Sequence, residues 1–76
     1  MAPPKLPRHQ GRVIAWDDAK GFGWIRPSDL RDADIWFHAD QFLEERSPRI
    51  NDAVSFAIGT GKNGRENAIS VILDTE

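Results

Sequence analysis

The stretch KGFGWI, residues 20–25, carries the strongest structural signal in this chain of 76 residues. From Phe22 onward it predicts a short strand, which Pro27 ends because proline lacks the backbone N–H that a sheet needs. Successive side chains of a strand point to opposite faces, so Phe22 and Trp24 share one face while Ile25 belongs to the other. Both faces of this strand therefore carry ring-bearing or apolar residues.

A second stretch, DIWFH at residues 34–38, has the same property. Ile35 and Phe37 fall on one face of the predicted strand, and Trp36 and His38 fall on the other. A small barrel has one interior, so it can bury only one face of each strand. If Ile25, Ile35 and Phe37 fill that interior, four side chains must point outward: Phe22, Trp24, Trp36 and His38.

An outward cluster of rings permits two interpretations. An exposed apolar patch usually marks a binding site, and flat rings beside a cation such as Lys20 suit unstacked nucleobases. Alternatively, the rings pack beneath the N-terminal arm or beneath residues 40–46. Gly21 and Gly23 bear on this choice, because a glycine inside a strand indicates either the close approach of a ligand or a bend at the corner of a barrel.

Turn signals divide the rest of the chain into further short strands. Residues 1–10 contain three prolines and are predicted to form a disordered, basic arm, which leaves residues 11–76 as a single domain. Asp40 is predicted to cap a helical turn over residues 40–46. The five predicted strands lie near residues 12–16, 22–26, 34–38, 53–58 and 67–73. This pattern indicates an all-β fold, a closed five-stranded antiparallel barrel with a short helical turn between strands three and four.

The fourth predicted strand shows the regular alternation of a half-buried strand. Val54, Phe56 and Ile58 share one face, and Ser55 and Ala57 share the other. The three larger residues are therefore predicted to belong to the core.

Composition argues against several classes of function. The chain has no cysteine, and its two histidines, His9 and His38, are far apart, so we expect no metal and no cofactor. No nucleophile is paired with a base, which gives no basis for an enzyme. No segment is long and apolar enough to span a membrane, and the proline-rich N-terminus does not resemble a secretory signal. We therefore expect a cytoplasmic protein without a membrane partner.

Two of these stretches together resemble the cold-shock family. KGFGWI closely resembles the first ribonucleoprotein motif of that family, usually K-G-F-G-F-I, and DIWFH resembles the second, usually D-V-F-V-H or D-V-F-F-H. Residues 11–13 lie at the family's distance before the first motif, and residues 51–56 are similar to its fourth strand. The resemblance covers residues 11–73. Two motifs in the family's order and spacing make the match specific.

The resemblance implies an OB-fold barrel that binds single-stranded RNA and DNA, often rich in pyrimidines. Position by position, it implies that Phe22, Trp24, Trp36 and His38 stack on bases and that Lys20 contacts the nucleic-acid backbone. Further candidates for phosphate contacts, chosen for their charge, are Arg12, Lys62 and Arg65.

The sequence also departs from the family's pattern. Ala15 stands where the family often has a stacking tryptophan, and Ala39 where its best-known members have phenylalanine. Trp16 stands at a usual phenylalanine and is a further candidate stacking residue, unless it faces the core. The resemblance therefore implies a binding surface smaller than that of the best-known members.

The function that these observations favour is single-strand binding without covalent chemistry, by an RNA chaperone or a regulator of transcription or translation. The protein would act as a monomer or weak dimer. The alternative is an OB-type protein-interaction module that uses the same aromatic patch to receive a peptide or another subunit. Salt-sensitive binding to oligonucleotides separates the two, because phosphate contacts release counterions.

Overall fold

The computed structural model describes residues 8–28, 33–61 and 64–74. Within these ranges the chain forms five strands and one turn of 3₁₀ helix between the third and fourth strands. The strands are β1 (His9–Asp17), β2 (Phe22–Pro27), β3 (Ile35–His38), β4 (Ala53–Thr60) and β5 (Glu66–Leu73), and the 3₁₀ turn is Ala39–Gln41.

The five strands close into a barrel in the order β1-β2-β3-β5-β4. Strand β1 contributes to two ladders, since residues 11–17 pair with β2 and residues 9–12 pair with β4. The pairs β1–β2, β1–β4, β2–β3 and β4–β5 are antiparallel, as predicted. The closing contact differs from the antiparallel prediction, because β3 runs parallel to β5 and pairs with it through Trp36 and Asn67. The all-β five-stranded barrel is confirmed.

One compact apolar core fills the barrel. Phe37, Phe56, Ile25, Val13, Val54 and Val71 have fully buried side chains. Ile35, Phe42 and Ala68 complete the buried cluster, and Trp16, Ile58 and Leu73 pack against it while remaining partly exposed. The predicted core positions on β2, β3 and β4 are therefore confirmed, with Ile58 at the margin of the core.

Element boundaries differ from the sequence-based expectation at two places. Strand β1 begins at His9, two residues inside the segment predicted to be an arm, and residues 1–7 lie outside the described part of the chain. The predicted helical turn over residues 40–46 is wrong in extent. Phe42 is buried and bridges Val71 of β5 in a parallel arrangement, which draws the chain into an extended path directly after the 3₁₀ turn.

The prediction that Asp40 caps the helical turn is also wrong. The capping residue is His38, whose imidazole Nδ1 accepts a hydrogen bond from the backbone N–H of Asp40 at 3.0 Å. The cap therefore fixes the orientation of the His38 side chain, which is one of the four side chains predicted to point outward.

The long connection between the 3₁₀ turn and β4 is held by a bidentate ion pair. The Arg46 guanidinium donates to both carboxylate oxygens of Asp52, each at 3.0 Å. These hydrogen bonds hold the pKa of the Asp52 carboxyl below its usual value. Asp52 also accepts from the backbone N–H of Arg49 at 2.8 Å, so a single carboxylate organises the turn that leads into β4.

Phe56 provides the most direct test of this core. Its side chain is fully buried and its ring centroid lies 5.8 Å from that of His9. We expect Phe56→Ala to lower the free energy of unfolding by about 3–5 kcal/mol, because the substitution leaves a cavity at the centre of a small core. Thermal or urea unfolding measures the change.

The matched control is Leu43→Ala, because Leu43 is a large apolar residue that is 58% exposed. We expect it to change stability by less than about 0.5 kcal/mol. Equal unfolding curves for the Phe56 variant and the parent would show that the β4 register is incorrect.

Candidate nucleic-acid interface

The β2–β3 ladder places four ring-bearing side chains on one outer face. The register pairs Phe22 with His38 and Trp24 with Trp36 across the two strands. Residues directly opposite each other in a ladder point to the same side of the sheet, so all four side chains project from the same surface. We call this set, Phe22, Trp24, Trp36 and His38, the aromatic surface.

The rings of the aromatic surface lie close together without burying one another. The ring centroids of Phe22 and Trp36 are 6.0 Å apart, with an interplanar angle of 34°. Trp36 and His38 are 6.1 Å apart at 50°. Trp24 is 37% exposed and the His38 side chain is 45% exposed. Area on these rings therefore remains available to a flat partner.

An open groove runs along the aromatic surface and over β5. Its walls include all four rings and further residues that the sequence did not predict to belong to the site: Asp34, Asp40, Gln41, Asn67, Ala68 and Ile69. The two-residue period of β5 puts Asn67 and Ile69 on one face and could have identified them. Gln41 had no such signal, because its position depends on the 3₁₀ turn packing against β5.

The segment after β3 borders the aromatic surface and does not bury it. Asp40 and Gln41 form one edge of the groove, while Phe42 turns into the core. Burial of the rings beneath residues 40–46 is therefore not observed in the described residues. The N-terminal residues 1–7 lie outside the described part of the chain.

Trp16 packs against the core. Its ring lies 5.4 Å from that of Phe37 at an interplanar angle of 21°, and its indole N–H donates to Asp18 at 3.3 Å. It does not line the groove. Of the two roles left open for Trp16, the structure therefore supports a core-facing one.

The packing of β1 and Trp16 also explains why residue 23 is a glycine. A Cβ atom at this position would lie 2.4 Å from the Ala15 carbonyl oxygen and 2.8 Å from the Trp16 ring. The close approach that requires glycine is therefore made by β1 of the protein itself. This removes Gly23 as an argument for a ligand.

The four candidate phosphate-binding cations occupy different places. Arg65 lines the groove. Lys20 is exposed in the turn immediately before β2 and does not line the groove. Arg12 borders a separate depression with Ser28 and Asp74, and Lys62 lies outside the described residues. The geometry thus brings Arg65 together with the rings and separates Arg12 from them.

The two acidic groups of the groove have different surroundings. The Asp34 carboxylate accepts from Arg26 Nε at 3.2 Å. The Asp40 carboxylate lies 3.6 Å from His38 Nδ1, but this nitrogen accepts from the Asp40 backbone N–H and donates no hydrogen bond to the carboxylate. Among the described residues there is no cluster of three metal-ligating side chains. The described part of the chain also has no helix with the length and apolarity needed to span a membrane.

Comparison with known proteins places the whole barrel in one family. The family model described as 'Cold-shock' DNA-binding domain matches residues 9–73. Cold shock protein 1 of Arabidopsis thaliana is 35% identical over 66 residues, which is 84% of this chain and 22% of that protein. Major cold shock protein CspA of Pseudomonas aeruginosa is 35% identical over 57 residues, which is 75% of this chain and 83% of that protein.

A solved structure gives the same result. The drosophila Unr CSD456 structure superposes with a TM-score of 0.77 and 30% identity, covering 92% of this chain and 28% of that one. The chain therefore spans a minor part of the plant protein and of the solved drosophila chain, and most of the bacterial protein. The family described by these matches is one of DNA-binding domains, and no catalytic family is indicated.

Trp36 lies next to the other three members of the aromatic surface. Its substitution is therefore the best single test of that surface. We expect Trp36→Ala to weaken binding of a single-stranded oligonucleotide by about 1–3 kcal/mol, the usual loss when one stacked base loses its ring. Fluorescence anisotropy with a labelled oligonucleotide measures the affinity, and circular dichroism checks the fold.

Ile72→Ala is the matched control, since Ile72 is 37% exposed, like Trp24, but lies outside the groove. The Ile72→Ala variant should bind the single-stranded oligonucleotide with the same affinity as the parent. A folded Trp36 variant with parental affinity would remove this ring from the interface.

Proposed function

The chain belongs to the cold-shock domain family, and from this premise we propose that it binds single-stranded RNA or DNA by stacking bases on the aromatic surface. The observation that carries the proposal is the presence of four neighbouring rings along one open groove. Every base has a flat π-face, so such a surface accepts many sequences. The side chains that contact the bases in this proposal are Phe22, Trp24, Trp36 and His38.

The groove favours unpaired strands for a geometric reason. In a duplex the faces of each base are covered by its neighbours in the stack, so rings fixed on a sheet cannot reach them. In a single strand the bases can separate and turn toward the protein. A protein that holds the unpaired state shifts the equilibrium away from the paired one, by as much as its affinity differs between the two states.

Charge supports a secondary contribution from phosphate contacts. Arg65 lines the groove, and Lys20 lies in the turn that leads into the first ring-bearing strand. The whole chain has a net charge of −2, so long-range attraction to a polyanion is weak. We therefore propose that the rings supply most of the affinity, with about two or three phosphate contacts in addition.

This mechanism is consistent with an RNA chaperone or a regulator of transcription or translation in the cytoplasm. Holding single strands open requires neither a cofactor nor a covalent step. Pyrimidine-rich strands fit the proposal best, because small bases unstack from each other at lower cost than purines do. The same surface on a monomer is sufficient for this activity.

A salt series separates stacking from electrostatics. With two or three phosphate contacts, the slope of log affinity against log salt should be about −1.4 to −2.1 for a single strand. Lys20→Ala should make that slope shallower by at most about 0.7. Trp24→Ala should lower affinity at every salt concentration and leave the slope nearly unchanged, because stacking releases no counterions.

The duplex of the same sequence is the control ligand, and it should bind much more weakly than the single strand. Equal affinity for both forms, or a Trp24 variant that changes only the slope, would contradict the stacking mechanism. Binding that does not respond to salt and does not discriminate oligonucleotides from peptides would instead support the protein-interaction module.

A further inference from the structure

Two arginines lie directly opposite each other on the outside of the barrel. The β1–β2 ladder pairs Arg12 with Arg26. Both side chains are exposed, while the strand residues before and after each of them are buried. Like charges that face each other across a ladder repel, which lowers the stability of the sheet. The stability of the fold therefore does not explain why these two cations are placed together.

The arginine pair continues the aromatic surface along β2. Trp24 and Arg26 are two residues apart on this strand, so both point outward and lie about 7 Å apart along it. The carboxylate of Asp34, which lines the groove, accepts from Arg26 Nε at 3.2 Å. Arg26 therefore lies where the groove ends, and Arg12 lies beyond it on β1.

Both guanidinium groups keep N–H donors that no described residue uses. Arg26 donates through Nε, and Arg12 donates through Nη1 to the Asn51 carbonyl oxygen at 2.9 Å. A guanidinium has five N–H donors, so each group keeps donors on its remaining nitrogens. The Arg26 side chain is 68% exposed, and a single contact at such an exposed position contributes little to stability. Its fork of nitrogens is therefore available to a second anion.

Two carboxylates border the arginine pair, and both lie outside it. Asp34 directly precedes β3, on the side of Arg26 away from β1. The backbone N–H of Asp74 donates to Ala53 of β4, the residue that faces Arg12 on the side away from β2. Among the described residues, no acidic side chain is placed between the two arginines. The space between them therefore suits an anion.

We propose that Arg12 and Arg26 together hold one backbone phosphate of a strand that leaves the groove past Trp24. The proposal rests on the proposed single-strand binding and adds a contact site outside the groove. A phosphodiester is negatively charged and has two unsubstituted oxygens, so it can accept from both guanidinium groups and relieve their repulsion. A phosphate is favoured over the carboxylate of a protein partner, because a strand that stacks a base on Trp24 carries its next phosphate toward this pair.

The test uses a short oligothymidine with one thymine for each ring of the aromatic surface, and the same oligomer extended at either end by abasic nucleotides. The extension adds phosphates without adding bases. The oligomer whose extended end passes Trp24 should bind the parent protein about three- to tenfold more tightly at low salt, since each exposed charge pair contributes modestly. The slope of log affinity against log salt should steepen by about 0.7 for one further phosphate.

Arg26→Gln and Arg12→Gln should each remove most of the gain that the extension gives, and circular dichroism checks the fold of both variants. The double variant should lose less than the two single losses added together in free energy, because both arginines hold the same phosphate. Additive losses would assign the arginines to different phosphates and contradict the shared site.

Arg49→Gln is the matched control, because Arg49 is an exposed arginine in the turn before β4 and lies outside the β1–β2 ladder. The substitution removes the same charge and should leave the gain from the extension unchanged. No gain in the parent, an undiminished gain in the Arg26 variant, or an equal loss in the Arg49 variant would overturn the phosphate site while leaving single-strand binding intact. A parent protein that does not bind even the unextended oligomer would overturn the proposed function itself, and this site with it.

Discussion

The structure depends on the packing around Phe37, which sits at the centre of a barrel with one interior. The Phe37 ring stacks against Trp16 at 5.4 Å and lies 6.4 Å from Phe42. Because β3 alternates, burying Phe37 and Ile35 forces Trp36 and His38 outward. The core and the aromatic surface are therefore two consequences of a single register.

The same packing explains how β1 is fitted to the barrel. A bulge between Val13 and Ala15 shifts the register, so that Trp16 lies opposite Gly23 and returns to the core-facing side. The absence of a side chain at Gly23 makes room for the indole and the β1 backbone. The protein thus uses one tryptophan to complete a small core and leaves the two others at the surface, where apolar area is available for a ligand.

Regular alternation accounts for most of what the sequence predicted. The inward positions of Ile25, Phe37 and Phe56 follow from the two-residue period, and the structure agrees with them. The period fails where the chain inserts an extra residue. The bulge in β1 decided the role of Trp16, and the left-handed Ser70 positioned the Gln41 amide. Neither bulge leaves a local signature in the amino-acid types, and the parallel β3–β5 contact joins segments that are far apart in the sequence.

We propose that the barrel separates its tryptophans into one that supports the core, Trp16, and two that contact bases, Trp24 and Trp36. The most direct measurement follows the three indole N–H signals by two-dimensional NMR while a short oligothymidine is added. The account predicts large shifts for Trp24 and Trp36 and a small one for Trp16, whose N–H is bonded to Asp18. Shifts concentrated on Trp16, with the Trp24 and Trp36 signals unchanged, would contradict it.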